Sequence, residues 1–355
     1  MRIAITADFH LREKDETPER YKTLENMLAS LERLGIRKLI ICGDTFDKGF
    51  SNYSDFEKSC GNHPEIEVLL IPGNHDAQIE QRFFASRQIR VFDKPAVESI
   101  DDFTVVFIPY KEGQTMDMHV AQVKGSACLP EKWILIGHGE YITKNRVVNP
   151  AEPDAYMFIS GAAIEEYKPA KVILGHIHKP SEIGRVVYPG SPYPIDVTET
   201  GKRRFIIYDS QTNQVEEVAA STDRIYFVES IMIFPGEREV DHALEKIDAA
   251  VTKWNLSEDE LKRVRLRLHV IGYCTDKPKL EEALRDRLEE RGIELYEKDG
   301  LDLSDLRVAV ELDEEKRAIL DKASGLLDEL PLEGFLDSRD RIVERMMELV
   351  IEGKQ

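Results

Sequence analysis

The sequence lacks any run of roughly 18 consecutive apolar residues, so we expect no membrane-spanning helix. The opening, Met1 to Ile5, lacks the charged, apolar and small-residue pattern of a signal peptide, and we expect none. Cysteine is scarce and no CxxC pair occurs, which argues against a disulfide framework or a structural zinc site and favours a reducing cytoplasm. The four cysteines are Cys42, Cys60, Cys128 and Cys274.

Basic residues are outnumbered, because 48 Lys and Arg stand against 67 Asp and Glu and give a net charge of −19. Such a chain is not expected to bind nucleic acid indiscriminately. Any contact with DNA must come from local basic patches, metal ions or a partner. Hydrophobic residues make up 42%, enough for a core, which excludes a wholly disordered chain. The length of 355 residues predicts two or three domains.

The first 210 residues alternate short apolar runs with helical patterns. Residues 18–34 carry apolar side chains at three- and four-residue spacing, which predicts an amphipathic helix. Strands that alternate with helices indicate an α/β layered domain. Buried strands are predicted at residues 2–6, 38–42, 67–71, 104–108, 133–136 and 171–174, with two closing strands at 203–208 and 214–219.

The second region, residues 221–310, is predicted to be a small α+β domain. Its patterns predict strands at residues 225–234 and 263–271 and helices at residues 241–254 and 277–292. Residues 311–355 have a strongly helical pattern and few β-branched clusters. We therefore expect boundaries near residues 220 and 310.

Polar side chains follow five of the predicted strands, each time beside a small residue or a turn. In open α/β sheets the carboxyl ends of the strands lie along one edge, so these side chains are expected to meet there. Neighbouring glycines allow the sharp turns that such an edge requires. The residues are Asp8, His10, Asp44, Asn74, His75, Asp76, His138, His176 and His178.

This combination of side chains predicts a metal site. Clustered carboxylates repel one another, and burying them is costly unless cations compensate. Mixed carboxylate and imidazole ligands suit manganese, iron or zinc better than calcium. A pair of metals about 3.5–4 Å apart needs a bridging carboxylate, and Asp44 is the candidate. A structural role for one such residue is the alternative, since a buried Asp or His can satisfy backbone groups at a strand end.

The motifs DxH, GD, GNHD, GH and GHxH, in this order from residue 8 to residue 178, resemble the calcineurin-like metallophosphoesterase superfamily. The resemblance implies a four-layer αββα core that holds two divalent metal ions. For the first metal it implies the ligands Asp8, His10, Asp44 and His178. For the second metal it implies the ligands Asp44, Asn74, His138 and His176.

The same resemblance implies catalytic roles for His75 and Asp76. His75 would face the scissile phosphate and stabilise or protonate the leaving oxygen. Asp76 would orient the His75 ring and set its tautomer. A purely structural role for His75 is the alternative.

A narrower resemblance is to the SbcD family, the nuclease subunits of SMC-like double-strand-break-repair complexes. It rests on DFHL at residues 8–11, GDTFD at residues 43–47 and VYPGSP at residues 187–192. It implies manganese-dependent exonuclease and endonuclease activity and an SMC-like ATPase of the SbcC type as partner. It also implies a homodimer, for which helices at residues 55–60 and 81–88 are candidates.

This narrower resemblance also implies a division of labour along the chain. Residues 1–220 would form the nuclease domain, and residues 221–310 a DNA-binding capping domain. Residues 311–355 would form a C-terminal helical tail that docks on the ATPase.

Two basic runs are candidates for contacts with the DNA backbone, which would offset the acidity of the chain. Basic residues that alternate with apolar residues are also typical of a half-buried strand with one solvated face, and that alternative stays open. The candidate residues are Lys202, Arg203, Arg263 and Arg265.

An apolar stripe near the C-terminus is typical of a helix that binds in the groove of a partner. Packing of the stripe on its own domain is the alternative. The stripe includes Ile342, Met346, Met347 and Val350.

Two other functions compete with a nuclease. One is a phosphatase or cyclic-nucleotide phosphodiesterase of the same superfamily, although such an enzyme would not need the C-terminal 145 residues. The other is a scaffold subunit that binds DNA ends and an ATPase, for which the metal ligands would be dispensable.

Overall fold

A computed structural model describes most of the chain, and it divides into two compact units. The first unit comprises Met1–Ile195 and Lys202–Asp223, and the second comprises Asp196–Gly201 and Arg224–Gln355. The described residues are 1–50, 52–143, 156–236, 238–297, 300–308, 318–319, 322–323, 325–326, 342, 345–346 and 349–350.

The first unit contains the predicted alternation of strands and helices. Its elements are β1 (Arg2–Thr6), α1 (Pro18–Arg33), β2 (Lys38–Cys42), α2 (Ser54–Gly61), β3 (Glu67–Ile71), β4 (Ile89–Val91), β5 (Ala96–Ile100), β6 (Phe103–Ile108), α3 (Met116–Ser126), β7 (Trp133–His138), β8 (Tyr141–Ile142), β9 (Ile159–Ser160), α4 (Gly161–Tyr167), β10 (Lys171–Gly175), β11 (Ser181–Ile183), β12 (Val186–Tyr188), β13 (Arg204–Asp209) and β14 (Gln214–Ala219).

Two six-stranded sheets form the centre of this unit. The first has the order β14-β13-β1-β2-β3-β4, and the second has the order β11-β12-β10-β7-β6-β5. Strands β1 to β4 pair in parallel, as do β12, β10, β7 and β6. Antiparallel strands flank both parallel sets. The carboxyl ends of the parallel strands in each sheet therefore share one edge.

Apolar residues cover both faces of the central strands, which explains the four layers. Ile3 and Ile5 of β1 belong to a core that also contains Phe107 and Ile136 of the second sheet. Ala4, between them, belongs instead to the core beneath α1 and α2. Helices α3 and α4 cover the outer face of the second sheet. The predicted αββα fold is confirmed.

The second unit also contains both helices and strands, and its helices and strands alternate along the chain. Every strand pair in its sheet is parallel, and α5 connects the two long strands. Parallel neighbours require such a crossover, so this unit is closer to an α/β arrangement than to the predicted α+β one. Its elements are β15 (Ile225–Ile233), α5 (Glu239–Lys253), α6 (Glu258–Leu261), β16 (Val264–Cys274), α7 (Lys277–Glu290), β17 (Glu294–Leu295), β18 (Leu301–Asp302) and β19 (Leu306–Val308).

Two candidate dimer helices differ in the structure. The one at residues 55–60 lies within α2, whereas the one at residues 81–88 is only a single 3₁₀ turn, Gln81–Phe83. Among the described residues, no helix combines the length and the apolar character that crossing a bilayer requires.

Candidate metal centre

The seven predicted metal ligands lie together at the carboxyl edge of the two sheets. Loops that follow β1, β2 and β3 supply Asp8, His10, Asp44 and Asn74, while β7 ends at His138 and β10 leads into His176 and His178. These loops therefore bring together residues that are up to 170 positions apart in the sequence, from 8 to 178.

The first group of ligand atoms surrounds His10. One ligand atom from each of Asp8, His10 and His178 lies within 4.8 Å of the others. His10 Nε2 is 3.1 Å from His178 Nε2 and 3.7 Å from Asp44 Oδ2. This arrangement matches the ligand set expected for the first metal.

The second group surrounds His138. Its Nε2 lies 2.8 Å from Asn74 Oδ1 and 3.4 Å from Asp44 Oδ2. Asn74 Oδ1 is also 3.2 Å from His176 Nδ1. Asp44 approaches both groups, which is what a bridging ligand must do.

The atoms around His138 show that a cation fits this centre. The Nδ1–H of His138 donates to the carbonyl oxygen of Cys42 at 2.8 Å, which fixes the ring. Its Nε2 then faces two acceptors, the amide oxygen of Asn74 and the carboxylate of Asp44. Three acceptor atoms that face one another must share a proton or a metal ion. Carboxylate and imidazole donors of this kind suit manganese, iron or zinc.

Buried charge in the centre shifts the pKa values in opposite directions. Burial raises the pKa of Asp8. Burial also raises the pKa of Asp44, but His138, His10 and the His75 amide outweigh it and hold that pKa well below its usual range. Although burial lowers the pKa of His138, Asp44 and Asp8 raise it to about 9. Divalent cations would replace these protons and neutralise the carboxylates.

The backbone at the ligands is strained. Asp8, His10, Asp44 and His176 have φ angles of 56°, 48°, 49° and 91°, in the left-handed region that non-glycine residues rarely occupy. Hydrogen bonds hold two of these residues: Asp8 N–H donates to Gly43 O at 3.1 Å, and His10 N–H donates to Asp44 O at 3.0 Å. Such strain persists only where the rest of the structure outweighs its energetic cost, and it is typical of functional sites.

Gly73 allows the loops after β2 and β3 to meet. A Cβ atom at Gly73 would overlap the side chain and amide of Asp44, with Asp44 Cγ only 2.8 Å away. The glycine therefore leaves room for Asp44 to reach both ligand groups.

His75 contacts a carboxylate that the motif reading did not single out. Its Nδ1 lies 3.1 Å from Asp47 Oδ1, and its side chain is 36% exposed. Asp47 also lies 3.8 Å from His10 Nδ1, and hydrogen bonding to His10 and His75 holds its pKa well below the usual range. Asp47 is the last residue of GDTFD. The sequence signal for its role was therefore a second carboxylate three residues after the predicted ligand Asp44.

The expected role of Asp76 is therefore corrected. Its carboxylate is buried and accepts from Gly73 N–H at 2.6 Å and from Phe46 N–H at 3.0 Å. Burial, together with the charge of Asp44, raises its pKa to about 7. Asp76 fastens the loop after β3 to the loop after β2, whereas Asp47 orients the His75 ring.

The predicted contact of Arg203 with DNA is also corrected, because its side chain is buried and not available to DNA. Its guanidinium donates to the carbonyl oxygens of Ser191 and His178 and to Ser191 Oγ. Ser191 N–H donates to His178 O at 3.1 Å. Arg203 therefore joins the GSP segment to a metal ligand.

The other predicted DNA contacts are more accessible. Lys202 is exposed, and Arg263 is half-buried. Arg265 forms an ion pair with Glu294 at 2.8 Å in the second unit, which agrees with the solvated strand face weighed above.

The C-terminal stripe contacts its own unit. Ile342, Met346 and Val350 are half-buried against a cluster that contains Met232 and Tyr273. Met347 lies outside the described residues.

Of three comparisons with known proteins, the one with family models matches the first unit. A family model described as calcineurin-like phosphoesterase matches residues 1–193. No curated protein matches the chain. A solved structure described as a novel archaeal phosphodiesterase is 16% identical with a TM-score of 0.33, and the match covers 62% of this chain and 99% of that one. A hypothetical protein from Pyrococcus horikoshii OT3 is 14% identical with a TM-score of 0.34, over 74% of this chain and 96% of that one.

Proposed function

The chain belongs to the calcineurin-like phosphoesterase family, and from this membership we propose that it is a manganese-dependent DNA exonuclease and endonuclease. Membership makes it a metal-dependent phosphodiesterase, and DNA as the substrate is our proposal. The observation that carries it is the convergence of seven ligand side chains beside His75, a half-exposed histidine held by a carboxylate.

The ligands divide into two sets that share Asp44. Asp8, His10, Asp44 and His178 would hold one divalent ion, and Asp44, Asn74, His138 and His176 the other. Two such ions, when bound, supply a hydroxide at neutral pH and neutralise charge on the phosphoryl oxygens.

His75 is our candidate for the acid that protonates the leaving oxygen. Asp47 accepts from Nδ1 and stabilises the charged ring, so Nε2 is the nitrogen available to the substrate. The His75 N–H, which donates to Asp44 Oδ1 at 2.8 Å, ties this acid to the bridging ligand. The leaving group would thus be protonated beside the carboxylate shared by the two ligand sets.

The SbcD resemblance supports a nuclease over a small-molecule enzyme. Its GSP segment contacts the site, since Ser191 and Arg203 both bind the carbonyl oxygen of His178. By the same resemblance we propose an SMC-like ATPase of the SbcC type as partner and a homodimer. All four cysteines are free thiols, which supports the proposed location in a reducing cytoplasm.

Parallel assays test the substrate. The purified chain is given Mn²⁺ with end-labelled linear duplex, closed circular single-stranded DNA and a chromogenic phosphodiester. We expect both DNA substrates to be degraded and His75→Ala to lower the rate on each by roughly 10²–10⁴-fold.

His63→Gln is the matched control, because His63 contacts Glu32 at 3.0 Å and belongs to neither ligand set. It should retain the parent rate. Hydrolysis of the chromogenic substrate without any DNA degradation would contradict the proposal and favour a phosphatase or cyclic-nucleotide phosphodiesterase.

A further inference from the structure

A polynucleotide strand faces an electrostatic obstacle at this site. The chain has a net charge of −19, and four carboxylates, those of Asp8, Asp44, Asp47 and Asp76, lie in or beside the centre. Bound metal ions would compensate at the scissile phosphate, but not at the phosphates before and after it. Those neighbouring phosphates need cations outside the ligand sets.

Two lysines beside the centre have ammonium groups without a partner in the part of the chain that the structure describes. Lys48 and Lys179 are exposed, and neither ammonium forms a hydrogen bond or ion pair with a described residue. Nearby cations on the loop after β1 differ, since Arg12 pairs with Glu16 at 3.1 Å and Lys14 with Glu25 at 2.7 Å. Lys48 and Lys179 are therefore available to an anionic ligand without breaking an existing ion pair.

Their positions relative to His10 are defined by short contacts. Lys179 directly follows His178, whose Nε2 is 3.1 Å from His10 Nε2. Lys48 directly follows Asp47, whose Oδ1 is 3.8 Å from His10 Nδ1. Consecutive Cα atoms are about 3.8 Å apart, so each lysine lies one residue from a contact with this ring. The residues that precede the two lysines, His178 and Asp47, thus approach the two different ring nitrogens of one predicted metal ligand.

The stability of the fold does not explain why lysine occupies positions 48 and 179. A solvent-exposed side chain without partners usually contributes less than about 0.5 kcal/mol to stability. Lysine binds phosphate as a flexible point charge and does not require a fixed geometry.

We propose that Lys48 and Lys179 bind backbone phosphates on either side of the scissile phosphate, and so make the site selective for polynucleotides over isolated phosphodiesters. The inference rests on the proposed nuclease function. Both residues are specificity determinants that contact only parts of the substrate that do not react.

Salt dependence is the direct test. Lys48→Gln, Lys179→Gln and the double variant are compared with the parent on a fluorescein-labelled single strand. KM for degradation is measured in Mn²⁺, and Kd is measured by anisotropy in EDTA, over a series of salt concentrations. Each single variant should lower the slope of log KM or log Kd against log salt by about 0.7, and the double variant by about 1.4.

Lys168→Gln is the matched control. Lys168 is also exposed and has an ammonium group without a partner among the described residues, but it lies before the amino end of β10, whereas Lys179 lies beyond its carboxyl end. Its slope should equal that of the parent. Hydrolysis of the chromogenic phosphodiester should be unchanged in all variants, which shows an intact centre.

Two results would overturn the inference, and they are distinguishable. If the parent degrades DNA and both lysine variants keep its slope, the lysines do not bind phosphates. If the parent neither binds nor degrades the strand but hydrolyses the chromogenic phosphodiester, the proposed function fails and this inference fails with it.

Discussion

The Nδ1 atom of His75 and the Oδ1 atom of Asp47 lie 3.1 Å apart, which joins the loop after β3 to the loop after β2. A carboxylate in this position fixes which ring nitrogen faces outward and stabilises the charged imidazole. His75 therefore depends for its orientation on a residue 28 positions earlier in the sequence.

Asp47→Asn is expected to lower kcat by roughly 10–100-fold with little change in KM for a chromogenic phosphodiester. The amide keeps the size of the side chain but removes the charge that stabilises protonated His75. Steady-state kinetics with the chromogenic phosphodiester measure kcat and KM separately.

Asp93→Asn is a suitable control, since Asp93 is half-buried and forms no hydrogen bond or ion pair with a described residue. Manganese affinity should be measured by calorimetry in both variants. If Asp47→Asn weakens metal binding as much as it lowers kcat, Asp47 acts through His10 and not through His75.

Manganese should stabilise the folded chain. A ligand present at 100 times its Kd adds about 2.7 kcal/mol to the free energy of unfolding, which corresponds to a rise in Tm of roughly 5–10 °C for a unit of this size. Calorimetric scans with Mn²⁺ and with EDTA measure the difference.

Asp44→Asn should abolish most of that rise in Tm, because the shared carboxylate contacts both ligand groups. A full rise in this variant would mean that manganese binds elsewhere on the chain.

Gly73→Ala should disrupt the centre, since the added methyl group overlaps Asp44 and forces one of the two loops to move. We expect a loss of manganese affinity of at least tenfold by titration, because a ligand shared by both sites is displaced. The comparison is Gly125→Ala in α3, where an added methyl group has open space. That variant should gain about 0.5–1 kcal/mol of stability and keep its activity. Equal affinity in the two variants would show that the loops can adjust.

Arg203→Met should lower the free energy of unfolding by about 2–4 kcal/mol, because it leaves buried acceptors at Ser191 without their donor. Denaturant titration measures the loss. Arg204→Met, which removes a partly exposed ion pair with Glu217, should cost less than about 1 kcal/mol.

The salt slope of DNA binding separates the two interpretations of Arg203. It should be unchanged in Arg203→Met, because a buried guanidinium does not contact the DNA backbone. A lower slope would restore Arg203 as a DNA-binding residue.

The layered fold was predictable because its strands are short runs of Ile, Val and Leu between turn residues. Helix α3 was missed because Met118 is exposed and Gly125 interrupts the pattern, so no clear apolar stripe forms. The helix proposed at residues 81–88 shortened to one turn. Phe84, which follows that turn, has extended backbone, and both Phe83 and Phe84 pack against the Tyr53 ring.

The metal centre was predictable from strand ends, whereas the residues supporting it were not. Asp47 and Asp76 each lie within three residues of a ligand, and only the path of two turns decides which of them reaches His75. Arg203 follows exposed Lys202 and precedes Arg204, and only its contacts with Ser191 and His178 in the folded chain show that its side chain is buried. Composition alone gives these three basic residues the same role.

The left-handed backbone at Asp8, His10, Asp44 and His176 has a consequence for how this chain can change over generations. Glycine adopts that conformation without penalty, so replacing any one of these side chains by hydrogen relieves strain of about 1 kcal/mol or more while it abolishes a ligand. Descendants that no longer need the chemistry can therefore evolve into more stable but inactive proteins. Only selection for catalytic turnover retains the strained ligand residues.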